Sequence, residues 1–578
     1  MSQEKRQPNY PSVTKPWQKY QTAEAINGEM PICSMYDYIK RSPFADTNKP
    51  ALIYYGSKIS YRQMFDKINI TAQALKALGV KHGDIVTLCT ALIPETVYVF
   101  YALNKLGAVS NIIDPRTSAN GIREYLAEAE STVVLTLEDA LEKALIAAQG
   151  LKIERILVVS PAQSLPPFIK AAYRLKHPQV KCDDPRCLNW NELFKLGSGR
   201  EEAVAAEYKP NRPAAIVHTG GTTGTPKGVV LSDDGLNSSA TQVYLSGLNF
   251  KPEHTWLDFM PPFIAYGIGN GLHLPLSIGM TVRIIPQFDA DLFDQLLLKN
   301  KANHLIGVPL HWDILMKNTK GKKLDLSFLI QPIVGSDHMS IGLEQEVNEY
   351  LSAHGCRDKV LKGYGMTETC AAACVCTGND CNKLGSVGIP FGHTIISAFD
   401  ADTGEELPCG QTGEICITGP SIMLEYYKNP KETELVLRKH SDGRVWVHSG
   451  DSGHVDADGF VFIDGRIKRM IVRFEGFKIF PSVIENVISK HEAVENCSVV
   501  GINDTEHRQG QYPVAHVILK PNAVGREKQI ERELKELCKQ ELPDYAYPVG
   551  YVFRNKMPQT PVGKIDYRAL ESGTDKLS

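Results

Sequence analysis

Apolar residues follow two distinct patterns along the first 160 residues. From Tyr61 to Leu78 they recur every three or four positions, which predicts an amphipathic helix. Short apolar runs at 84–89, 133–136 and 156–159 predict buried strands, and Pro94 stands where proline commonly opens a helix. Because strands separated by helices of this size favour a parallel sheet, we predict an α/β domain here.

The pattern changes beyond about residue 410, where the strand-like runs become shorter and turns separate them. Asp-Gly pairs at 442–443, 458–459 and 464–465 are turn signals, and they indicate antiparallel strands. After 465, a hairpin around 475–476, further strands and an amphipathic helix predict a small α+β unit. That unit is long enough to form a core of its own.

These patterns divide the chain into three parts. Residues 1–30 are polar and rich in proline, and we expect them to form an arm on the surface. Residues 31–467 are expected to form a large N-terminal domain, and residues 468–578 a smaller C-terminal domain.

Composition narrows the class of protein. The chain has 578 residues, of which 43% are hydrophobic and 22% charged, so there is enough apolar material for a core. A formal net charge of −3 provides no global positive field for nucleic acid. No apolar run is long enough to span a membrane, and no apolar signal segment opens the chain. The 13 dispersed cysteines favour reduced thiols and a cytoplasmic location.

One segment, 161–190, interrupts the alternation of helices and strands. It is rich in proline and basic residues, with aromatic residues between them. The first interpretation is a surface insertion. The second is weak contact with a membrane surface, because basic amphipathic stretches can rest on lipid headgroups.

A run of glycine and threonine residues with one lysine lies between two apolar segments at 216–230. Glycines let backbone N–H groups approach an anion closely, threonine hydroxyls add donors, and the lysine adds positive charge. The run differs from the ATPase P-loop, because Pro226 precedes the lysine and Gly228 follows it. The residues that we assign to polyphosphate binding are Thr219, Gly220, Gly221, Thr222, Thr223, Gly224 and Lys227.

This loop fits the phosphate-binding pattern of the adenylate-forming superfamily, and further motifs of that superfamily follow in the same order. They lie at 363–369, 385–390, 449–451, 465–468 and 560–564. The chain therefore resembles this superfamily, and in particular its AMP-forming acyl-CoA synthetases, over about residues 50–570. The resemblance implies an α/β fold: a large N-terminal domain of several subdomains and a smaller, mobile α+β C-terminal domain.

The resemblance also implies roles for individual residues. Thr219, Thr222 and Thr223 would bind the β- and γ-phosphates of ATP, and Glu368 with Thr223 would bind Mg²⁺. Carboxylates and substrate phosphates are the usual ligands of that ion. Asp451 would accept hydrogen bonds from the ribose hydroxyls, because a carboxylate can serve both. Tyr364 would stack on adenine. The remaining nucleotide-site residues are Gly335, Ser336, Gly365, Thr367 and Arg466.

The C-terminal domain is expected to take part in both half-reactions. Lys564 resembles the mobile lysine that stabilises charge between the carboxylate and the α-phosphate, and with Glu368 and Thr223 it completes our catalytic set. Lys468 takes the position of the hinge. Gly476 lies in the hairpin that would line a tunnel for the thiol of coenzyme A, where a backbone must pass close to a narrow ligand.

The sequence specifies the carboxylic acid substrate less closely than it does the nucleotide site. Ile264 stands where many relatives have a histidine or an aromatic residue, so the pocket entrance is expected to be more apolar. Small residues at 371–373 leave room for a long or bulky group, and we favour a fatty acid over an aromatic acid. One alternative is a stand-alone enzyme that loads an aryl or amino acid onto the phosphopantetheine of a carrier protein. Another is a nucleotide-binding regulatory protein that catalyses nothing.

Overall fold

The fold was obtained as a computed structural model. The structure describes residues 9–219, 227–473, 478–504, 510–560 and 565–572. Within these residues the chain has a large α/β part and a smaller α+β part at its C-terminal end, as the sequence pattern predicted. No helix in these ranges is both long and apolar enough to cross a bilayer.

The first sheet carries the flanks of the glycine- and threonine-rich loop. Its strands between residues 85 and 219 pair in parallel, and the strands at 227–232 and 425–426 add to them in antiparallel orientation. In spatial order the described strands are Glu425–Tyr426, Lys227–Ser232, Pro213–Thr219, Val109–Ile113, Ile85–Cys89, Val133–Leu137, Arg155–Val159 and Cys187–Asn189. The three strands and the helix predicted from the apolar pattern are all confirmed.

The second sheet is also mainly parallel, with antiparallel strands at both ends. In spatial order its described strands are Ile389–Pro390, Cys374–Val375, Leu361–Tyr364, Ile333–Val334, His304–Gly307, Thr255–Asp258, Thr281–Ile284, Pro50–Tyr54 and Ser57–Ser60. The two sheets share one buried apolar core with the helices between them.

The antiparallel character predicted beyond residue 410 is confirmed by a third sheet. Its described strands are Ile395–Phe399, Gly413–Thr418, Val445–Val455, Leu437–Lys439 and Val461–Arg466. The C-terminal part has the pair Ile471–Val472 and Lys478–Ile479, and the strands Val494–Asn503, Gln511–Leu519 and Gly550–Phe553. A separate apolar cluster holds this part together.

Helices cover the sheets, and at several of them the side chain of the N-cap residue accepts a hydrogen bond from the first turn. Ser60 and Gln63 form a reciprocal capping box at the helix Tyr61–Ala77. The described α-helices are Pro11–Thr14, Ala23–Asn27, Met35–Lys40, Tyr61–Ala77, Pro94–Leu106, Ala119–Ala129, Leu141–Ala147, Pro167–Lys176, Trp190–Gly197, Asp233–Leu245, Leu274–Ile278, Phe293–Asn300, Pro309–Asn318, Ile341–Ala353, Pro430–Val436, Pro481–Ile488, Glu527–Glu541 and Tyr567–Ser572. A π-helix spans Tyr266–His273.

Two peripheral segments add to the sequence-based picture. Residues 9–30 lie along the large domain and insert Trp17 into its core, where the backbone and Cβ of Trp17 lie close to Gly459. The structure also joins Cys182 and Cys187 in a disulfide, which the dispersed cysteines had not led us to expect. A separation of five positions brings their Cα atoms to 6.3 Å, within the range of disulfides.

Candidate active site

Two antiparallel strands hold the ends of the phosphate-binding segment side by side. Thr219 lies opposite Lys227, and His218 lies opposite Gly228. The two ends of the predicted phosphate-binding segment are therefore held next to each other in the sheet. The predicted loop residues Gly220, Gly221, Thr222, Thr223 and Gly224 lie outside the described residues.

The Lys227 side chain points toward a tyrosine and a glutamate of a later segment. Its Nζ donates a hydrogen bond to Glu432 Oε2 and lies 4.9 Å from the centre of the Tyr426 ring. The hydrogen bond from Lys227 holds the pKa of Glu432 below its ordinary value, and the positive charge of Lys468 acts in the same direction. Lys227 and the predicted hinge residue Lys468 thus share one acidic neighbour.

Glu368, the predicted metal ligand, is connected to this cluster through Tyr426. It lies in a short 3-10 helix, Thr367–Thr369, and its residue is 6% exposed. Its Oε1 accepts a hydrogen bond of 2.6 Å from the Tyr426 hydroxyl, and no second hydrogen bond to this carboxylate occurs among the described residues. The second oxygen of this carboxylate can therefore bind a metal ion. Mg²⁺ commonly binds through one or two carboxylates and substrate phosphates, so Glu368, beside the phosphate-binding segment, is a suitable ligand.

Tyr364, Asp451 and Arg466 form the other half of the site. The Tyr364 hydroxyl donates to Asp451 Oδ2 over 2.5 Å, and Arg466 Nε lies 2.9 Å from Asp451 Oδ1. Burial, together with the Asp451 carboxylate, raises the pKa of Tyr364 well above its ordinary value, so the hydroxyl keeps its proton and donates. The structure therefore brings together a tyrosine, an aspartate and an arginine that come from three separate motifs.

Strand register explains how Asp451 and Arg466 meet. They lie opposite each other on the strands Val445–Val455 and Val461–Arg466, which the Asp-Gly turn at 458–459 connects. Arg466 Nη1 also donates to the backbone oxygen of Ser449 over 2.8 Å. The arginine thus holds both the carboxylate and the backbone of the loop that carries it.

Close backbone approach accounts for the glycines near this site. A side chain at Gly365 would place its Cβ 2.0 Å from the Ala371 oxygen, and one at Gly335 would lie 3.1 Å from the Tyr266 hydroxyl. Ser336 follows in the left-handed region with φ of 67°, which is uncommon outside glycine. Gly335 and Ser336 therefore form a tight turn that lies against the π-helix at Tyr266.

The predicted C-terminal residues divide into two groups. Lys468 lies in the 3-10 helix Ile467–Arg469, directly after the last strand of the third sheet. The hairpin strands Ile471–Val472 and Lys478–Ile479 pair as predicted on both sides of Gly476. Gly476 and Lys564 themselves lie outside the described residues.

Sequence motifs did not identify Glu414, which supports the loop that carries Asp451. Its Oε1 accepts from the Gly450 backbone N–H over 3.0 Å, and its Oε2 lies 2.7 Å from His448 Nδ1. Burial acts to raise the pKa of Glu414, but the hydrogen bond and charge of His448 outweigh it and hold the pKa below the ordinary value. Glu414 thus fixes the turn directly before the ribose-binding candidate.

Comparison with known proteins identifies the family of the chain. The sequence model of the AMP-binding enzyme family matches residues 40–427, which is more than half of the chain. The model of the AMP-binding enzyme C-terminal domain matches residues 483–564. The chain belongs to the AMP-binding enzyme family. The predicted class, an AMP-forming acid–CoA ligase with an adenylate-forming fold, is confirmed.

Individual relatives cover nearly the whole chain. A long-chain-fatty-acid–CoA ligase of Bacillus subtilis (strain 168) is 28% identical over 532 residues, 90% of this chain and 91% of the relative. The 4-coumarate–CoA ligase CCL1 of Humulus lupulus is 28% identical over 557 residues, 95% of this chain and 94% of the relative. The crystal structure of the anthranilate CoA ligase AuaEII with anthranoyl-AMP superposes with a TM-score of 0.81 at 22% identity, covering 95% of this chain and 98% of that one.

Two residues outside the predicted set contact the predicted site residues or the loops that carry them. Tyr426 links Lys227 to Glu368, and Glu414 links the strand Gly413–Thr418 to the loop of Asp451. Neither the tyrosine pair at 426–427 nor the Glu-Ile-Cys segment at 414–416 matches a functional motif in the sequence. Only their position beside motif residues distinguishes them.

Proposed function

We propose that the protein activates a carboxylic acid with ATP and then transfers the acyl group to coenzyme A. The observation that carries this proposal is the convergence of Lys227, Glu368, Asp451 and Arg466 on one site, although the first two and the hairpin of the last two come from three distant segments. This arrangement offers cations and hydrogen-bonding groups to a polyphosphate on one side and to a ribose on the other.

The first half-reaction forms an acyl-adenylate. A carboxylate oxygen of the acid attacks the α-phosphorus of ATP, the bond to the β-phosphate oxygen breaks, and pyrophosphate leaves. Both reactants are anions, and two unit charges in contact repel by about 4 kcal/mol at an effective dielectric near 20. Lys227 and Arg466 supply the positive charge that offsets this repulsion, and we propose the same for Lys564.

Mg²⁺, held by Glu368 and by Thr223 as we propose, would neutralise charge on the departing pyrophosphate. Tyr426 holds the Glu368 carboxylate in place through its hydroxyl. Asp451, which Tyr364 and Arg466 orient, would accept the ribose hydroxyls. We assign Gly335, Ser336, Gly365 and Thr367 to the adenine side of the site.

The second half-reaction requires the thiol. The sulfur of coenzyme A attacks the acyl carbonyl, the bond between the acyl carbon and the phosphate oxygen of AMP breaks, AMP leaves, and the thiol proton passes to solvent. We propose that the C-terminal domain, beginning at 468, rotates about Lys468 between the two steps. Lys468 lies two residues beyond the strand that ends at Arg466, in a 3-10 helix, so a small backbone change there would move the whole C-terminal domain.

We propose a fatty acid as the substrate, and an aromatic acid as the second candidate. The Bacillus relative acts on long-chain fatty acids, whereas the Humulus relative, at the same identity, acts on 4-coumarate. Ala371 and Ala373 are buried behind the Tyr364–Gly365 turn, and their small side chains suit a bulky group of either kind. Ile264, which is half-buried, adds an apolar surface at the proposed entrance.

The deciding experiment is a panel of acids assayed with the full-length protein. Carboxylate-dependent exchange of pyrophosphate into ATP tests adenylation, and consumption of free coenzyme A tests thioester formation. Loading of a phosphopantetheine-bearing carrier protein in place of coenzyme A would favour the carrier-loading alternative. Nucleotide binding without exchange for any acid of the panel would favour a regulatory protein and contradict the proposal.

A further inference from the structure

The helix Pro167–Lys176 turns its apolar face toward solvent. Phe168 and Leu175 are 91% and 87% exposed, and Ala171 and Ala172 between them are also exposed. These four residues are spaced i, i+3, i+4 and i+7, so they occupy one face of the helix. No residue of this helix is buried. In an ordinary surface helix the apolar face would lie against the core.

Polar contacts on the opposite face fix this orientation. Arg174 forms a two-pronged ion pair with Glu138, with N–O distances of 2.9 and 3.1 Å. Lys170 Nζ donates to the Gln163 backbone oxygen over 3.1 Å. Because the charged side chains anchor the helix to the domain, rotating the apolar face inward would break these contacts. The exposed apolar face is therefore a built feature of the fold.

The charge around the helix is positive. Residues 161–181 contain three lysines and one arginine and no acidic residue, in a chain whose formal net charge is −3. Arg174 is paired with Glu138, but Lys176 and Lys181 are exposed just beyond the apolar face. The acidic neighbours are Asp139, which is exposed near Tyr173, Asp183, which is exposed directly after Cys182, and Asp184, which pairs with Arg186.

The position of the segment makes it accessible. It precedes Cys187–Asn189, the last described strand at one edge of the first sheet, and the disulfide Cys182–Cys187 ties its end to that strand. Apolar side chains that protrude between lysines match the layered chemistry of a bilayer surface, with acyl chains beneath anionic headgroups. We propose that the helix Pro167–Lys176 docks this protein onto membranes that contain anionic lipid.

Co-sedimentation of the full-length protein with lipid vesicles tests the proposal. We expect binding to vesicles of equal parts phosphatidylglycerol and phosphatidylcholine, and at least tenfold weaker binding to phosphatidylcholine alone. Phe168→Glu with Leu175→Glu should lower the affinity for anionic vesicles at least tenfold. The matched control, Val204→Glu, changes another residue that is 81% exposed and should leave binding unchanged.

Two further variants separate charge from apolar insertion. Lys176→Gln with Lys181→Gln should lower the affinity about threefold or more, and 0.5 M salt should weaken the wild-type protein further. A Phe168→Trp variant should show a blue shift of tryptophan emission when anionic vesicles are added. Equal thermal unfolding midpoints of all variants would show that the fold is retained, and the tryptophan measurement applies even if the double glutamate variant is unstable.

Several outcomes would overturn the proposal. One is unchanged vesicle binding by the double glutamate variant, and another is no emission shift in Phe168→Trp. A third is a concentration-dependent dimer in size-exclusion chromatography that the glutamate variant abolishes, because the face would then bind a second copy. None of these measurements depends on the acid or on the thiol acceptor, so the docking proposal and the proposed function can fail separately.

Discussion

Tyr426 donates a hydrogen bond to Glu368 across 58 positions of sequence, with its hydroxyl 2.6 Å from Glu368 Oε1. The same ring lies 4.9 Å from the Lys227 ammonium group. One tyrosine therefore positions both the proposed metal ligand and the lysine that closes the phosphate-binding segment. Burial and the nearby Glu368 raise the pKa of Tyr426 well above its ordinary value, so its hydroxyl remains a donor at neutral pH.

Replacing Tyr426 by phenylalanine should reduce adenylation without unfolding the protein. The change removes a hydrogen bond to a charged group, which is typically worth about 1.5–3 kcal/mol. We expect pyrophosphate exchange to fall roughly tenfold or more, and the Mg²⁺ concentration for half-maximal rate to rise, because Glu368 is no longer held in place. Tyr427→Phe is the matched control. Equal rates in the Tyr426 variant and the wild type would contradict this role.

Glu414 is expected to position Asp451 without contacting substrate. Glu414→Gln keeps the size of the side chain but weakens its bonds to the Gly450 N–H and to His448. We expect KM for ATP to rise about three- to tenfold while kcat changes less, because the ribose-binding turn loosens. Steady-state kinetics over a range of ATP concentrations would measure this. The exposed neighbour Glu405→Gln serves as control, and a fall in kcat alone would assign Glu414 another role.

Asp258 makes the stability of the large domain depend on pH. It is fully buried at the end of the strand Thr255–Asp258, and its Oδ2 has no hydrogen-bond partner among the described residues. Burial raises its pKa from 3.8 to about 8. Between these values the folded state holds a proton that the unfolded state has lost, so stability falls as pH rises from about 4 to about 8.

Asp258→Asn should remove this dependence. We expect the thermal unfolding midpoint of the variant to exceed that of the wild type by several degrees at pH 8, and by much less at pH 5. Buried histidines such as His273 and His304 titrate alike in both proteins, so the difference between the two curves isolates Asp258. A constant difference at all pH values would show that Asp258 stays ionised in the fold.

Lys564→Ala separates the two half-reactions. We expect carboxylate-dependent pyrophosphate exchange to fall about 10²–10³-fold, the usual loss when one stabilising donor of a transition state is removed. Thioester formation from a supplied acyl-adenylate should remain largely intact, because the pyrophosphate has already left. Lys556→Ala, an exposed lysine eight positions earlier, is the control. Equal loss of both half-reactions would refute the role of Lys564.

Local sequence was sufficient for much of the fold and for the motif residues. The three-to-four-residue apolar spacing of 61–78 yields the helix Tyr61–Ala77, and the apolar run at 133–136 yields the strand Val133–Leu137. Both depend on short-range periodicity, which the chain carries in consecutive positions. Motif order similarly identified Glu368, Asp451 and Arg466, because each lies within a characteristic short string.

Contacts between distant segments were not visible in the same way. Tyr426 and Glu414 gain their roles only because strand pairing places them beside Glu368 and Gly450. The Cys182–Cys187 pair and the orientation of the helix Pro167–Lys176 likewise depend on what surrounds them, since the Arg174–Glu138 ion pair decides which face is outward. An amphipathic pattern predicts that a helix has an apolar and a polar face, but it does not determine which of the two is exposed to water.

The sequence alone determined the family-type motifs, the division into a large and a small part, and the chemistry available for binding a polyphosphate. The tertiary structure decided which of those groups meet: Tyr364 with Asp451, Asp451 with Arg466, and Tyr426 with Glu368. The physical reason is range. Helix and strand preferences act over a few consecutive residues, whereas the geometry of a site arises from hydrogen bonds and packing between segments that only folding brings together.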